Sequence, residues 1–105
     1  MKPFYVYVLK CADGSYYVGQ TDDLEKRVAQ HETGLCGGYT AQRRPVRLVF
    51  ADELWSRDEA IERERQIKGW SRAKKEALTR GDWTQIRQLS RRRAGAPKPN
   101  VEPSP

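Results

Sequence analysis

The sequence predicts an α+β domain, on three observations: a strong β-hairpin signal at the N-terminus, a third β-rich run in mid-chain, and helical stretches with capping signals around that run. Phe4 to Cys11 is apolar and β-rich, Ala12-Asp13-Gly14 is a turn, and Ser15 to Gln20 is a second strand. A first helix follows from about Asp23 to Glu32, with Asp22 as N-cap, Glu25 as its capping-box partner and Gly34 as a stop. Cys36 to Arg44 is a loop rich in Gly and Arg, closed by Pro45, and Val46 to Leu54 reads as the third strand. Ser56 opens a second helix with the capping box Ser56-Arg57-Asp58-Glu59, and this helix runs to Gly69. Ser71 starts another that stops at Gly81, and Asp82 caps a last one carrying Trp83, Ile86 and Leu89. From Arg91 the pattern ends: Arg91-Arg92-Arg93 leads into a tail with four of the six prolines in its last nine residues. The expectation is one domain over residues 1–90 and a basic, then Pro-rich, disordered tail over 91–105.

Length and composition bound the function. A chain of 105 residues supports one modest core. No apolar run is long enough to span a bilayer and no signal peptide opens the chain, so the expectation is a soluble cytoplasmic protein with no membrane association. Cys11 and Cys36 are too few and too far apart for a zinc site and read as free thiols. The net charge of +6, with 20 Lys and Arg, favours a polyanionic partner, and nothing in the chain calls for an obligate protein partner.

Polar residues stand where apolar ones belong. Ala60, Ile61 and Ile67 define one face of the Ser56 helix, and Glu64 falls on it, three residues from both isoleucines. A carboxylate there needs a salt bridge or a metal ion. In the first helix Leu24 and Val28 mark the buried stripe, and Arg27 and His31 lie on or beside it, one turn apart. The hairpin register decides which tyrosines join them. A two-residue loop at Asp13-Gly14 pairs Leu9 with Val18 and sends Tyr7 and Tyr17 to opposite faces. A three-residue loop with Gly14 in the left-handed conformation pairs Leu9 with Tyr17 and Tyr7 with Gly19, leaving open space beside the Tyr7 ring.

This ordered set resembles the GIY-YIG nucleases. The first signature reads Tyr5-Val6-Tyr7 and the second Tyr17-Val18-Gly19, followed by Arg27, His31 and then Glu64 within Ala60 to Lys68. The likeness covers roughly residues 3 to 80 and is strongest to the small stand-alone bacterial members. Tyr5 stands where the name-giving glycine would be, and the asparagine that some members carry after the glutamate has no counterpart before Asn100. The resemblance implies a three-stranded antiparallel sheet flanked by helices. It also implies catalysis by Tyr7, Arg27 and Glu64, with Glu64 holding a divalent metal, here expected to be Mg²⁺ or Mn²⁺, and Tyr17 and His31 are expected to complete the catalytic set by assisting Tyr7. In that scheme Tyr7 accepts or relays the proton of the attacking water through a lowered pKa or a relay, and Arg27 grips the scissile phosphate. The scheme requires the three-residue hairpin loop, which is therefore the register expected.

The remaining positive charge has a use in holding a strand. Arg43, Arg44, Lys68, Arg72, Lys74 and Lys75 are candidate phosphate contacts, and Tyr39 or Trp70 candidate base-stacking rings. The expected function is a metal-dependent endonuclease acting on nucleic acid, DNA in preference to RNA, reading shape rather than base sequence. The alternative is a non-catalytic nucleic-acid-binding module on the same scaffold.

Overall fold

The computed structural model describes residues 2–82 and Thr84; the expected final helix and tail lie outside the described residues. Three strands, β1 (Phe4–Lys10), β2 (Tyr16–Thr21) and β3 (Arg47–Leu54), form one antiparallel sheet in the order β2-β1-β3. Helix α1 (Leu24–Thr33) and the single turn α2 (Gly38–Ala41) lie between β2 and β3, and α3 (Arg57–Lys68) and α4 (Arg72–Thr79) follow. The α+β expectation holds, with four helices among the described residues. None of these is long and apolar enough to cross a membrane.

The hairpin takes the three-residue loop. Leu9 pairs with Tyr17 and Tyr7 with Gly19; the Cys11 N–H donates to the Ser15 carbonyl at 2.9 Å, and Gly14 has φ 87°. Only glycine adopts that left-handed conformation without a Cβ penalty. β1 is the central strand, so its run of Val6, Tyr7, Val8 and Leu9 is almost wholly buried. Alternate residues serve different faces. Tyr7, Leu9 and Cys11 form a core cluster with Val46, against which Tyr17, Leu24 and Val28 pack, while α3 packs on β1 and β2.

Two local expectations change. The N-cap of α1 is Asp23 rather than Asp22: its carboxylate accepts from the Lys26 N–H at 3.2 Å, and its own N–H is taken by Thr21 Oγ1 at 3.0 Å. The Gly- and Arg-rich segment is not all loop, since Gly38–Ala41 makes one helical turn entered through positive φ at Gly37 and Gly38. The remaining caps fall where the sequence puts them. Gly34 ends α1 in the left-handed conformation, and Ser56 and Ser71 cap α3 and α4 by accepting from Glu59 and Lys74 N–H groups. Cys11 is buried and Cys36 exposed, and both are free.

The described residues divide after Gly69 into two compact units, one ending at Gly69 and one beginning at Trp70. The first carries the sheet and α1 to α3. In the second, Trp70, Lys74, Ala77 and Leu78 are buried, with the Lys74 ammonium 4.6 Å from the centre of the Trp70 ring.

Candidate active site

A cleft of about 430 Å³ opens beside the second signature, lined by Tyr17, Arg27, Gln30, His31 and the segment Cys36 to Thr40. The hairpin register supplies Tyr17, and the helical spacing of α1 supplies Arg27 and His31 one turn apart. Tyr7 sits behind this wall, 1% exposed, with its hydroxyl 2.9 Å from His31 Nε2. His31 Nδ1 is in turn 2.7 Å from Thr40 Oγ1, a side chain that is itself 1% exposed. Tyr7, His31 and Thr40 thus form a buried polar chain with each member satisfied, the condition under which buried polar groups are tolerated. The three rings converge, Tyr17 lying 6.3 Å from Tyr7 and 5.0 Å from His31 between centroids.

Gly19 makes this convergence possible. A Cβ there would stand 2.6 Å from the Tyr7 hydroxyl oxygen and 3.1 Å from Tyr17 Cε2, so the ring of Tyr7 occupies the space a side chain would take. Electrostatics follow from burial. Desolvation, then the neighbouring Tyr17, push the Tyr7 phenol well above its ordinary range, against a smaller opposing pull from Arg27. Burial, then the Arg27 charge, hold His31 below its usual value, so the imidazole is neutral near pH 7. A neutral ring carries one N–H, so one nitrogen donates and the other accepts along the chain.

Glu64 does not line the cleft. It sits on α3, the helix that packs on β1 and β2, with its side chain 19% exposed and an oxygen 2.9 Å from Lys68 Nζ. Among the described residues no three His, Cys, Asp or Glu side chains gather to hold a metal. Glu64 offers one carboxylate, where Mg²⁺ takes one or two and completes its shell with water and phosphate oxygens. Lys68 is 54% exposed and on a flexible stem, so it can yield the carboxylate.

The basic residues divide. Arg44, Lys68 and Arg72 are exposed, each with one internal contact (Arg44 Nε to the Ala41 carbonyl at 3.2 Å, Lys68 Nζ to Glu64 at 2.9 Å, Arg72 Nε to Glu76 Oε2 at 3.3 Å), and Lys75 is half-buried, its pKa lowered by desolvation. Lys74 is 2% exposed and faces Trp70, which removes it from the phosphate contacts expected of it; burial also removes Trp70 as a base-stacking ring. Arg43 is engaged within the protein: Nε donates to Asp13 Oδ2 at 3.1 Å and Nη1 to the Tyr39 carbonyl at 2.9 Å. Thr40 and Asp13 are absent from the residues singled out by sequence. The one signal for Thr40 was a β-branched hydroxyl in a Gly-rich segment, which carries no specificity.

A family model described as the GIY-YIG catalytic domain, a class typically of nucleases, matches residues 3–77. The chain belongs to the GIY-YIG family. Among its relatives, it is 50% identical over 74 residues to a UPF0213 protein of Natronomonas pharaonis, covering 70% of this chain and 87% of that one. A UPF0213 protein of Staphylococcus saprophyticus is 45% identical over 75 residues, covering 71% and 92%. The solution NMR structure of a UPF0213 protein from Bacillus halodurans superposes with a TM-score of 0.50 at 40% identity, covering 84% of this chain and 97% of that one.

Proposed function

We propose that this protein is a metal-dependent endonuclease that hydrolyses phosphodiester bonds in DNA, with RNA as the lesser substrate, and that it reads shape rather than base sequence. The observation that carries the reading is the cleft on which Tyr17, Arg27 and His31 converge, in a chain of net charge +6. In this reading the two tyrosines take roles other than those expected from sequence. Tyr7 is 1% exposed and remains a phenol at neutral pH, so it does not meet the substrate; it holds His31 in place. The phenol that meets the substrate is Tyr17, whose hydroxyl orients the attacking water and relays its proton to solvent in the open cleft. Arg27, exposed at the rim, grips the scissile phosphate with its fork of N–H donors and neutralises charge as it develops. Glu64 would hold Mg²⁺ or Mn²⁺, which when bound supplies charge neutralisation at the phosphate and a more acidic water. Arg44, Lys68, Arg72 and Lys75 supply sequence-independent attraction to the backbone.

The test is incubation of purified protein with supercoiled, single-stranded and branched DNA and with RNA, in Mg²⁺, Mn²⁺ and EDTA. Cleavage is expected with either metal and not with EDTA. Tyr17→Phe should slow it by about 10²–10⁴ and Arg27→Ala by about 10²–10³. Glu64→Gln should abolish it while leaving affinity intact or improved. One observation favours a non-cleaving binding module instead, the Glu64–Lys68 pair outside the cleft. Steep salt-dependent binding with no cutting of any substrate, and Glu64→Gln identical to wild type, decides for that module.

A further inference from the structure

Tyr17 can orient a water only if its own ring is held, and the contacts around it trace a path away from the cleft. Its ring stacks on Tyr39, with centroids 6.2 Å apart and planes inclined at 30°. The Arg43 guanidinium lies 3.8 Å over the Tyr39 ring. That guanidinium spends Nη1 on the Tyr39 carbonyl, closing a local clamp, and Nε on Asp13 Oδ2. Asp13 is the centre of the hairpin turn, and its other oxygen accepts from the Ser15 N–H at 3.0 Å and the Ser15 hydroxyl at 2.6 Å. A backbone bond runs alongside, from the Ala12 N–H to the Arg43 carbonyl at 2.9 Å. The path therefore begins and ends on the hairpin that carries Tyr17.

We propose that Asp13, Arg43 and Tyr39 form a strut that positions Tyr17, and that Arg43 serves this strut rather than a substrate phosphate. The proposal rests on the nuclease reading for what the strut achieves, and on the contacts above for its existence. Two of Arg43's N–H donors are committed inside the protein, and a carboxylate stands beside it. A phosphate approaching Arg43 would meet Asp13 as well. The same turn of α2 also carries Thr40 against His31, so the segment entered at Gly37 and Gly38 fixes two walls of the cleft at once. Tyr39, Arg43 and Asp13 are positioning residues, and a ring displaced by 1 Å is enough to slow a reaction by about 10²-fold.

The effect of Asp13→Ala on the single-turnover rate separates the two roles of Arg43. If Arg43 binds phosphate, Asp13→Ala removes a repelling charge, so affinity rises and the single-turnover rate is kept. If Arg43 belongs to the strut, Asp13→Ala lowers the single-turnover rate by about ten- to a hundredfold with affinity unchanged or higher. Arg43→Lys keeps the charge but not the planar fork, and should lose rate in the same way while its salt dependence of binding stays that of wild type. Tyr39→Phe should recover most of the rate that Tyr39→Ala loses, since the ring and not the hydroxyl makes the stack. Proton NMR of the Tyr17 ring supplies a readout independent of cutting: Asp13→Ala and Arg43→Lys should shift its resonances in a chain that remains folded. Unmoved Tyr17 resonances in both variants overturn the strut, whether or not the protein cleaves. So does an Arg43→Ala variant that flattens the salt dependence by about one phosphate contact at an unchanged rate.

Discussion

Gly19→Ala is the most direct probe of how the site is built. The added Cβ would lie 2.6 Å from Tyr7 Oη, 2.7 Å from Tyr7 Cζ and 3.1 Å from Tyr17 Cε2. Carbon atoms are comfortable at about 3.5–4.0 Å, so the Tyr7 ring must retreat by about 1 Å. It has nowhere to go: the side chain is 1% exposed, and its hydroxyl is tied to His31 at 2.9 Å. Overpacking of this kind costs about 1–3 kcal/mol, and a broken buried hydrogen bond adds about 1 kcal/mol. Alanine returns about 0.5–1 kcal/mol through its lower backbone entropy in a strand. The expected net loss is about 1–3.5 kcal/mol, which for a domain of this size lowers Tm by roughly 4–28 °C. Urea unfolding measures the free energy and calorimetry the Tm. Gly37→Ala is the comparison, because a Cβ there meets nothing within 4 Å and its cost is backbone alone, φ 66° with ψ −170° being a conformation essentially confined to glycine, at about 1–3 kcal/mol. A Gly19→Ala protein within 0.5 kcal/mol of wild type, with the His31 resonances unmoved, would show that the Tyr7 ring is not packed against Gly19.

The acid side of the stability curve reports His31. Its folded pKa lies below the unfolded 6.5, so the contribution is present above pH 6.5 and is lost as pH falls through the folded value. The urea midpoint should drop between pH 7.5 and 5, and this part of the drop should vanish in His31→Gln; an equal slope in both proteins would mean that the imidazole is not buried neutral. The basic residues should separate in a salt titration of nucleic-acid binding. Arg44→Ala should lower the slope of log K against log salt by about 0.7–0.9, whereas Lys74→Ala should leave the slope alone and lower stability by about 1 kcal/mol, and the reverse pattern would place the Lys74 ammonium on the surface.

What the sequence disclosed and what it withheld divide along physical lines. The hairpin register was readable because side chains alternate with period 2, so that one residue of loop length decides whether Tyr7 and Tyr17 share a face. Helix starts were readable to within a residue because a capping side chain must reach an N–H three positions on; Asp22 and Asp23 both qualify, and Thr21 Oγ1 on the Asp23 N–H decides between them. The α2 turn was not readable, since Gly37 and Gly38 permit many backbone paths and the one taken is selected by contacts remote in sequence, Thr40 on His31 and Arg43 on Asp13. The same remoteness explains Arg43, whose partner Asp13 lies 30 residues away; for Lys74 the partner Trp70 is only one helical turn back, and what charge does not disclose is that both are buried. It also explains the two tyrosines. Period 2 puts both on one face, yet which is sealed and which is open depends on what lies over them. His31 reaches Tyr7 from α1, while α2 leaves Tyr17 as a wall of the cleft. The face that Tyr7 and Tyr17 share can therefore be read from spacing alone, but which of them is sealed and which lines the cleft is set by α1 and by the single turn of α2.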